Sequence, residues 1–456
     1  MKVLKFGGTS VGSAEGMKLV AALIKKAERS EYMSTKNNIN KRINTEPVIV
    51  VLSAMSGTTN NLVELATNLY AKNHTKANEL ISSLENKYKQ EIKNLYTTES
   101  ILNKATHLLK YHFDYLRAFT QDMFTVNEEK AILAQGELLS TAMFQFYLEE
   151  QKESSILLPA LNFMRLDENE EPDLSYIETH LKQELEKNKG FTFYITQGFI
   201  CRNIFGEIDN LKRGGSDYSA SLIGAAIYAK EIQIWTDIDG MHNNDPRVVD
   251  NTHPIEQLSF DEAAELAYFG AKILHPTCIL PAQKRNVPVK LLNTMQPEAK
   301  GTIISKDSAG SGIKAVAAKD GITSISIKSG RMLLAYGFLR SVFEVFERYK
   351  TPIDMITTSE VAVSLTIDTD KHLKEIVEEL EKFGQVSIDK EHTIICIVGN
   401  VSFDKSGYAQ KIFNALSETP VRMISYGGSE NNVSVLIKSE YKKQALQALN
   451  QGLFNY

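Results

Sequence analysis

Across its first 300 residues the chain alternates short apolar runs with long helical segments. The run PVIVVLSAM (47–55) is almost continuously apolar, and FTFYITQGFI (191–200) and EIQIWTD (231–237) are similar. Such runs are typical of strands that are covered on both faces. Strands that alternate with helices pair in parallel through helical crossovers. We therefore predict a three-layer α/β sandwich with a largely parallel sheet over residues 1–300.

Two segments interrupt this alternation. Residues 62 to about 130 are polar, helical in pattern and almost free of Gly and Pro, so they predict helices inserted after the second strand. Residues 31–46, which include the stretch STKNNINKRINT (34–45), are typical of a surface loop. The sequence gives no function for the helical insertion.

Beyond residue 300 the chain contains an internal repeat. The stretch PEAKGTIISKDSAGSG predicts a linker at 301–312. After it, PIDMI (352–356) recurs as PVRMI (420–424), and VSLTI (363–367) recurs as VSVLI (433–437). The spacing of about 70 residues is that of one small domain. Each repeat is predicted to run strand, helix, strand, strand, helix.

The two repeats differ in how they obtain a last strand. The first repeat closes with QVSI (385–388), whereas the second has none left after its helix. The run IKAVAAK (313–319), just after the linker, could supply it. We therefore predict two interleaved ferredoxin-like modules over residues 313–456. The first module, about 320–390, is inserted within the second, about 313–319 plus 391–456.

Composition excludes several classes of function. The net charge of -5 argues against nucleic acid as the main partner. No long uncharged apolar stretch predicts a membrane span, and the first apolar run breaks at Lys5, so we predict no secretory signal. Cys201, Cys278 and Cys396 are far apart, which suits core residues in a reducing, cytoplasmic setting rather than disulfides or a zinc site.

Three stretches of small residues and glycines lie next to predicted strands or helix starts. In KFGGTSVGS, Gly7 and Gly8 follow a short strand and precede a helix, which is one way to build an anion site beside Lys5; an ordinary turn is the alternative. In LKRGGSDYSA, Arg213 precedes two glycines and a helix start, a pattern that suits an anionic ligand, although a simple capped helix also fits. LSAMSGTTNNL places small polar residues after a buried strand, where ligands bind in α/β sheets, or where Thr58 or Thr59 caps a helix.

Three further features concern charged side chains. Glu137 in QGELLS lies on a predicted helix among apolar neighbours, so it needs a cationic partner, either from the protein or from a substrate ammonium. The loop WTDIDGMHNNDPRVV does not match a calcium loop, because positions six and twelve are His242 and Val248; a nucleotide loop fits better. Residues 259–262 (SFDE) predict a capping box for the helix that follows.

Seven stretches, taken in order, resemble the aspartate kinase family, which has the amino acid kinase fold followed by tandem ACT modules. They are KFGGTSV, LSAMSGTTNNL, GELLS, RGGSDYSA, WTDIDGMHNNDPRVV, AYFGAKILHP and MITTSEV. The resemblance covers almost the whole chain and is poorest in the helical insertion and the 31–46 loop. It implies phosphoryl transfer from ATP, with Mg²⁺, to the β-carboxylate of L-aspartate, giving 4-phospho-L-aspartate for lysine, threonine, methionine and isoleucine synthesis.

The resemblance also implies roles for individual residues. Lys5 matches the contact to the transferring phosphoryl group, and Asp217 matches a residue that organises either Lys5 or the metal-bound phosphates. Glu137 matches the contact to the substrate ammonium and Arg213 the contact to its α-carboxylate. Further substrate contacts fall on Thr59 and Ser216. The ATP contacts fall on Lys5, Gly7, Gly8, Thr236, Asp237, His242, Arg247, Lys272 and Ile273, although the family usually shows an aromatic residue where His242 stands. No protein metal ligand is implied.

The first ACT module resembles the effector-binding module of lysine-sensitive members. The matching positions are Met332, Gly337, Phe338, Leu339, Asp354, Thr358, Ser359 and Glu360. The resemblance implies an amino-acid effector, lysine before threonine, and a homodimer or dimer of dimers formed through the ACT modules. A plain dimerisation module is the alternative.

Other functions remain as alternatives on the sequence. A non-catalytic amino-acid sensor of the same fold would not need Lys5, and a kinase for glutamate, carbamate or a nucleotide would not need the ACT pair and MITTSEV. A fusion with homoserine dehydrogenase is not expected, because no GxGxxG pattern appears and no residues follow the second module.

Overall fold

A computed structural model describes residues 1–28, 46–121, 124–211, 214–270, 274–306, 310, 312–330, 336–401 and 406–454. The chain divides into two compact units. The first comprises Met1–Gly240 and Leu274–Asp307, and the second comprises Met241–Ile273 and Ser308–Tyr456. The predicted 31–46 loop lies outside the described residues except for Glu46. The domain boundaries given above stay a prediction.

Strands and helices are numbered in chain order. The strands are β1 (Lys2–Phe6), β2 (Val48–Leu52), β3 (Ser155–Leu157), β4 (Phe193–Gln197), β5 (Ile200–Arg202), β6 (Ile208–Asn210), β7 (Ile232–Thr236), β8 (Gln257–Ser259), β9 (Val289–Asn293), β10 (Thr302–Ser305), β11 (Gly312–Lys328), β12 (Ile356–Thr358), β13 (Ala362–Ile367), β14 (Gln385–Asn400), β15 (Val421–Tyr426) and β16 (Asn432–Lys438). The helices are α1 (Ala14–Glu28), α2 (Thr58–Tyr70), α3 (His74–Leu95), α4 (Glu99–Ala118), α5 (Val126–Glu150), α6 (Leu174–Lys187), α7 (Gly215–Ala226), α8 (Phe260–Tyr268), α9 (Leu280–Arg285), α10 (Phe338–Arg348), α11 (Leu373–Leu380), α12 (Tyr408–Ala415) and α13 (Lys442–Phe454).

The first unit is built on a mostly parallel sheet. Its strands follow the order β3-β4-β2-β1-β7-β9-β10, and only β10 in this series runs antiparallel to its neighbour. All five residues of β2 and all five of β4 are buried, because helices cover both faces. This confirms the prediction of a largely parallel α/β sheet.

The helices form one layer on each face of this sheet. Leu4 and Phe6 of β1 belong to the core shared with α1 to α5. Lys5 lies between them and faces the other way, since successive side chains of a strand alternate between faces. There it meets α7, which packs against β1, β2 and β7. The insertion predicted at 62–130 therefore adds α3 and α4 to one layer and leaves the opposite face to α7.

Two details of the first unit differ from the predictions. The apolar run 191–200 is not one strand: β4 ends at Gln197, and β5 pairs with β6 in a separate hairpin. Phe199 has φ 65°, a left-handed backbone conformation that cannot continue a strand. Within the predicted linker, Thr302–Ser305 form β10, because the apolar pair in TIIS pairs with β9 despite the flanking Gly and Ser.

The second unit contains a six-stranded antiparallel sheet with the order β12-β13-β11-β14-β16-β15. The end of β11 pairs with β13, and its beginning pairs with the end of β14. Each repeat therefore has the strand order second-third-first-fourth of a ferredoxin-like module, and the run 313–319 completes the second module. The prediction that the modules interleave is confirmed.

The capping box predicted at 259–262 is present at the start of α8. The Ser259 N–H donates to Glu262 Oε2 at 2.7 Å, and the Glu262 N–H donates to Ser259 Oγ at 3.1 Å. Cys201, Cys278 and Cys396 are buried and free, as predicted. Among the residues described, no helix combines the length and the apolar character needed to cross a membrane.

Candidate active site

Three loops meet at one edge of the parallel sheet. In β1, Phe6 pairs in register with Leu52 of β2 and Trp235 of β7. The next residues along the chain, Gly7, Ser53 and Thr236, therefore lie at the same carboxyl edge, where ligands bind in α/β sheets. The sequence stretches singled out after β1 and β2 are thus neighbours in space.

The glycine turn after β1 packs tightly against the loop after β2. A Cβ atom added to Gly8 would lie 3.0 Å from the carbonyl oxygen of Ala54, so a larger residue would have to displace backbone. The Gly7 N–H donates to the Trp235 carbonyl at 3.2 Å and is thus already used within the fold. Thr236 and Asp237 stand beside this turn at the end of β7 and are linked by a 3.1 Å hydrogen bond from Thr236 Oγ1 to Asp237 Oδ1.

Lys5 and Asp217 form an ion pair at this edge. The distance from Lys5 Nζ to Asp217 Oδ1 is 2.6 Å, and both side chains are largely buried. Asp217 lies in the first turn of α7, where a negative charge is favoured by the helix dipole. The pair joins the strand before the glycine turn to a helix more than 200 residues away in sequence.

The start of α7 requires its glycines. Gly214 has φ 72° and a Cβ there would lie 2.0 Å from Cys278 Sγ, so no other residue fits without rearrangement. Ser216 follows, buried against Gly198. Arg213, the predicted contact to the substrate's α-carboxylate, lies outside the described residues.

Glu137 is a buried carboxylate with one unused oxygen. Its Oε1 accepts a 3.2 Å hydrogen bond from the Ala54 N–H, whereas Oε2 has no hydrogen-bond partner among the described residues. The residue is only 3 % exposed, and burial raises the pKa of Glu137 to about 8. None of the ion pairs between described residues involves Glu137, so the structure there offers no protein cation to hold it ionised.

The loop after β2 does not use the threonine cap that the sequence allowed. The N-cap position of α2 is Gly57, with φ 76° and no side-chain cap, so the alternative in which Thr58 or Thr59 caps the helix is wrong. Thr58 is fully buried, and its hydroxyl lies 3.1 Å from the hydroxyl of Tyr88. Thr59, the predicted substrate contact, is half-buried on the first turn.

The remaining predicted nucleotide contacts are His242, Arg247, Lys272 and Ile273. His242 and Arg247 belong to the second unit. His242 Nδ1 is 2.9 Å from Thr252 Oγ1, and Arg247 forms a two-pronged pair with Asp245 at 2.9 and 2.8 Å. The guanidinium lowers the pKa of Asp245. Lys272 and Ile273 lie outside the described residues.

The predicted effector residues are distributed over two cavities of the second unit. Gly337 and Phe338, at the start of α10, line a cavity of about 450 Å³. Asp354 lines another, of about 380 Å³. The positions outside both linings are Leu339, which follows on α10, Thr358 at the end of β12, and the exposed Ser359 and Glu360. Met332 lies outside the described residues.

Asp354 already has partners that the sequence did not predict. Lys319 Nζ is 2.7 Å from its Oδ1, and the Tyr268 hydroxyl donates to the same oxygen at 2.8 Å. Burial raises the pKa of Asp354 even so. Because these three residues are 35 or more positions apart, no local pattern could have linked them.

Comparison with known proteins identifies the family. The sequence pattern of the amino acid kinase family matches residues 1–293, and that of the ACT domain matches residues 395–453. The chain is 34% identical to aspartokinase 1, chloroplastic, of Arabidopsis thaliana over 99% of this chain and 80% of that protein. It is 31% identical to the lysine-sensitive aspartokinase 3 of Escherichia coli over 99% of both chains.

Solved structures agree with this family assignment. The crystal structure of E. coli aspartokinase III in complex with aspartate and ADP is 31% identical, covers 100% of both chains and has a TM-score of 0.83. The same protein in complex with lysine and aspartate has a TM-score of 0.77 and covers 100% of this chain and 99% of that one. The fold and site thus define an amino acid kinase with ACT modules. Within that class, the chain belongs to the aspartokinase family.

Proposed function

We propose that this chain transfers the γ-phosphoryl group of ATP to the β-carboxylate of L-aspartate, which gives 4-phospho-L-aspartate. The observation that carries the proposal is the Lys5–Asp217 pair beside the glycine turn, on the same sheet edge as the loop that contacts Glu137. A cation for a phosphoryl group and a buried acid for an ammonium are the two features this reaction needs. The E. coli relative, solved with aspartate and ADP, supports the assignment.

The chemistry requires charge stabilisation rather than a general base. The β-carboxylate of aspartate is ionised at neutral pH and can attack directly. The enzyme must bring two anions together and neutralise charge on the phosphoryl oxygens. Lys5 supplies that charge, and Asp217 holds the ammonium at the strand end through their 2.6 Å contact.

Mg²⁺, when bound with ATP, would neutralise phosphate charge in the same way. Asp217 is the carboxylate beside Lys5 that could meet the ion or one of its water molecules. No group of three or more His, Cys, Asp or Glu side chains in the described residues is placed to hold a metal. A magnesium ion that takes most of its ligands from phosphates and water suits this donor set.

Glu137 is proposed to bind the substrate's ammonium through the oxygen that has no partner. An ammonium placed there would complete a charge-assisted hydrogen bond in a buried setting, which favours the ionised carboxylate. Arg213, Thr59 and Ser216 would hold the rest of the amino acid. The ATP contacts are proposed at Gly7, Gly8, Thr236, Asp237, His242, Arg247, Lys272 and Ile273.

A hydroxylamine trap tests the reaction. Acyl phosphates react with hydroxylamine to form coloured hydroxamates, so incubation with ATP, Mg²⁺ and L-aspartate is expected to give the aspartyl hydroxamate. Replacing aspartate with glutamate is the control for substrate class. A chain that binds amino acids but forms no hydroxamate would support the alternative, a non-catalytic sensor; the retained Lys5–Asp217 pair argues against it.

Feedback inhibition through the ACT modules is also proposed, with lysine as the first candidate and threonine as the second. The E. coli relative has been solved with lysine, and Asp354 and Glu360 are carboxylates suited to an ammonium. In this family the modules would pair in a homodimer or a dimer of dimers. We place the enzyme in the cytoplasm, where its three free, buried cysteines would stay reduced.

We expect millimolar lysine to reduce the rate of hydroxamate formation by more than half, and threonine to act more weakly. The measurement is the initial rate at subsaturating aspartate with each amino acid added singly and together, with D-lysine as the control. Unchanged rates in all mixtures would refute feedback inhibition and favour the alternative, in which the ACT modules serve only for dimerisation.

A further inference from the structure

Helix α3 of the helical insertion contacts both loops of the proposed active site. Its residues Lys87, Tyr88 and Glu91 lie within about one helical turn, and positions three and four apart share a helix face. Each of the three makes a hydrogen bond to a residue outside the insertion. Together they reach the loop after β1 and the loop after β2.

Two of these contacts hold the loop after β2. The Lys87 ammonium donates to the Ser56 carbonyl at 2.5 Å, and the hydroxyls of Tyr88 and Thr58 lie 3.1 Å apart. They flank Gly57, which has a left-handed backbone and is the N-cap residue of α2 without a side-chain cap. The α3 side chains thus supply the restraint that a capping side chain would otherwise give.

The third contact holds the loop after β1. Glu91 Oε2 accepts a 2.7 Å hydrogen bond from the N–H of Ala14, the first residue of α1. A carboxylate at this position satisfies a backbone donor that has no partner within the helix and interacts favourably with the helix dipole. Ala14 directly follows the glycine-rich segment that is proposed to bind phosphates.

The two loops also touch each other. A Cβ on Gly12 would lie 2.9 Å from Ser56 Cβ, so the Gly12 backbone packs against the Ser56 side chain with no room for a larger residue. A shift of one loop must therefore be transmitted to the other. The same face of α3 also connects to the helix that carries Glu137. Tyr88 contacts Thr58, and a Cβ added to Gly136, the residue before Glu137, would lie 3.1 Å from Thr58 Cγ2.

We propose that α3 is a clamp that sets the distance between the loop after β1, proposed to bind the nucleotide, and the loop after β2, proposed to bind aspartate. Lys87, Tyr88 and Glu91 are its positioning residues. This inference rests on the proposed function for the identity of the two substrates. The three residues touch neither substrate in this proposal. They act through the Ser56 carbonyl, the Thr58 hydroxyl and the Ala14 N–H, so their loss should weaken substrate binding more than it weakens the stability of the fold.

The first test compares Tyr88→Phe with Tyr96→Phe. Both phenols are buried and belong to α3 or its C-cap, but Tyr96 donates to the Met143 carbonyl at 2.7 Å, away from the two loops. Both variants are expected to lower the melting temperature by similar amounts. Only Tyr88→Phe is expected to raise KM for aspartate, by about 3- to 10-fold, with kcat changed less. Equal KM values in the two variants would overturn the clamp.

A second pair keeps the test decisive if Tyr88→Phe fails to fold. Lys87→Met removes the contact to Ser56 from a half-buried position, and Lys89→Met removes an exposed lysine that pairs with Glu85 on the same helix. KM for aspartate is expected to rise only in Lys87→Met. If both variants keep the wild-type KM, α3 does not position the loop after β2.

Hydrogen exchange separates this inference from the proposed function. Amides of residues 7–14 and 53–60 are expected to exchange faster in Tyr88→Phe and in Glu91→Ala than in Tyr96→Phe, whatever reaction the protein catalyses. A wild-type protein without kinase activity would refute the proposed function. The difference in hydrogen exchange between the variants would still show whether α3 restrains the two loops. Unchanged protection of both loops would refute the clamp alone.

Discussion

Replacing Lys5 with alanine is expected to lower kcat by about 100-fold or more, since removing one group that stabilises transition-state charge has this size of effect. The variant should still fold, because Lys5 contributes only one ion pair. The core on this strand is formed by its apolar neighbours Leu4 and Phe6. The measurement is hydroxamate formation under saturating ATP and aspartate, together with circular dichroism and the melting temperature.

Lys2→Ala is the matched control for Lys5→Ala. Lys2 lies on the same strand and also pairs with an acid, Glu231, at 3.5 Å, but it stands at the opposite end of β1 from the glycine turn. The kcat of Lys2→Ala should stay close to that of the wild type. Near-normal turnover in Lys5→Ala would show that Lys5 has no role in the reaction. The proposed activity would then lose its main support.

Replacing Glu137 with glutamine is expected to raise KM for aspartate by roughly 30-fold or more. Loss of one partner of a buried, hydrogen-bonded charge pair costs about 2–5 kcal/mol, and 1.4 kcal/mol is about tenfold in affinity. Glu149→Gln is the control: Glu149 lies on the same helix and pairs with Lys104 at the surface. A Glu137→Gln enzyme with unchanged KM would show that the ammonium binds elsewhere.

The pH dependence of KM offers a second measurement on the same residue. Burial raises the pKa of Glu137 to about 8 in the free protein, so at pH 7 the carboxyl is mostly protonated. Only the ionised form can pair with an ammonium. KM for aspartate is therefore expected to fall as pH rises from 6 to 8 and to level off above it, whereas Glu137→Gln should lack this slope. The opposite slope in the wild type would contradict the assignment.

Much of the fold follows from local patterns. The alternation of apolar runs with helices predicted the parallel sheet, and the repeat of PIDMI and VSLTI predicted the interleaved modules because the orphan run 313–319 was needed to complete the second one. The break at Phe199 was missed, since its left-handed backbone arises from packing against α7 rather than from its own preference. β10 was missed because Gly, Ser and Pro around it suggested a linker.

The candidate site was predictable in its members but not in their pairing. KFGG and GELLS marked Lys5 and Glu137, yet no local pattern shows that Asp217 lies 2.6 Å from Lys5 or that one oxygen of Glu137 lacks a partner. Lys87, Tyr88 and Glu91 gave no signal, because their helix reads as an ordinary amphipathic segment. Contacts between distant parts of the chain are fixed by tertiary packing, which the pattern of one segment does not contain.

The interleaving of the ACT modules has a consequence for cutting the chain. β11 donates strands to both modules, so a fragment that begins after residue 320 would leave β14 with a bare edge in the second module. Unpaired edges of this kind promote aggregation. A regulatory fragment intended for separate expression should therefore start before Gly312, and proteolysis between the two halves of β11 should release neither module as a soluble piece.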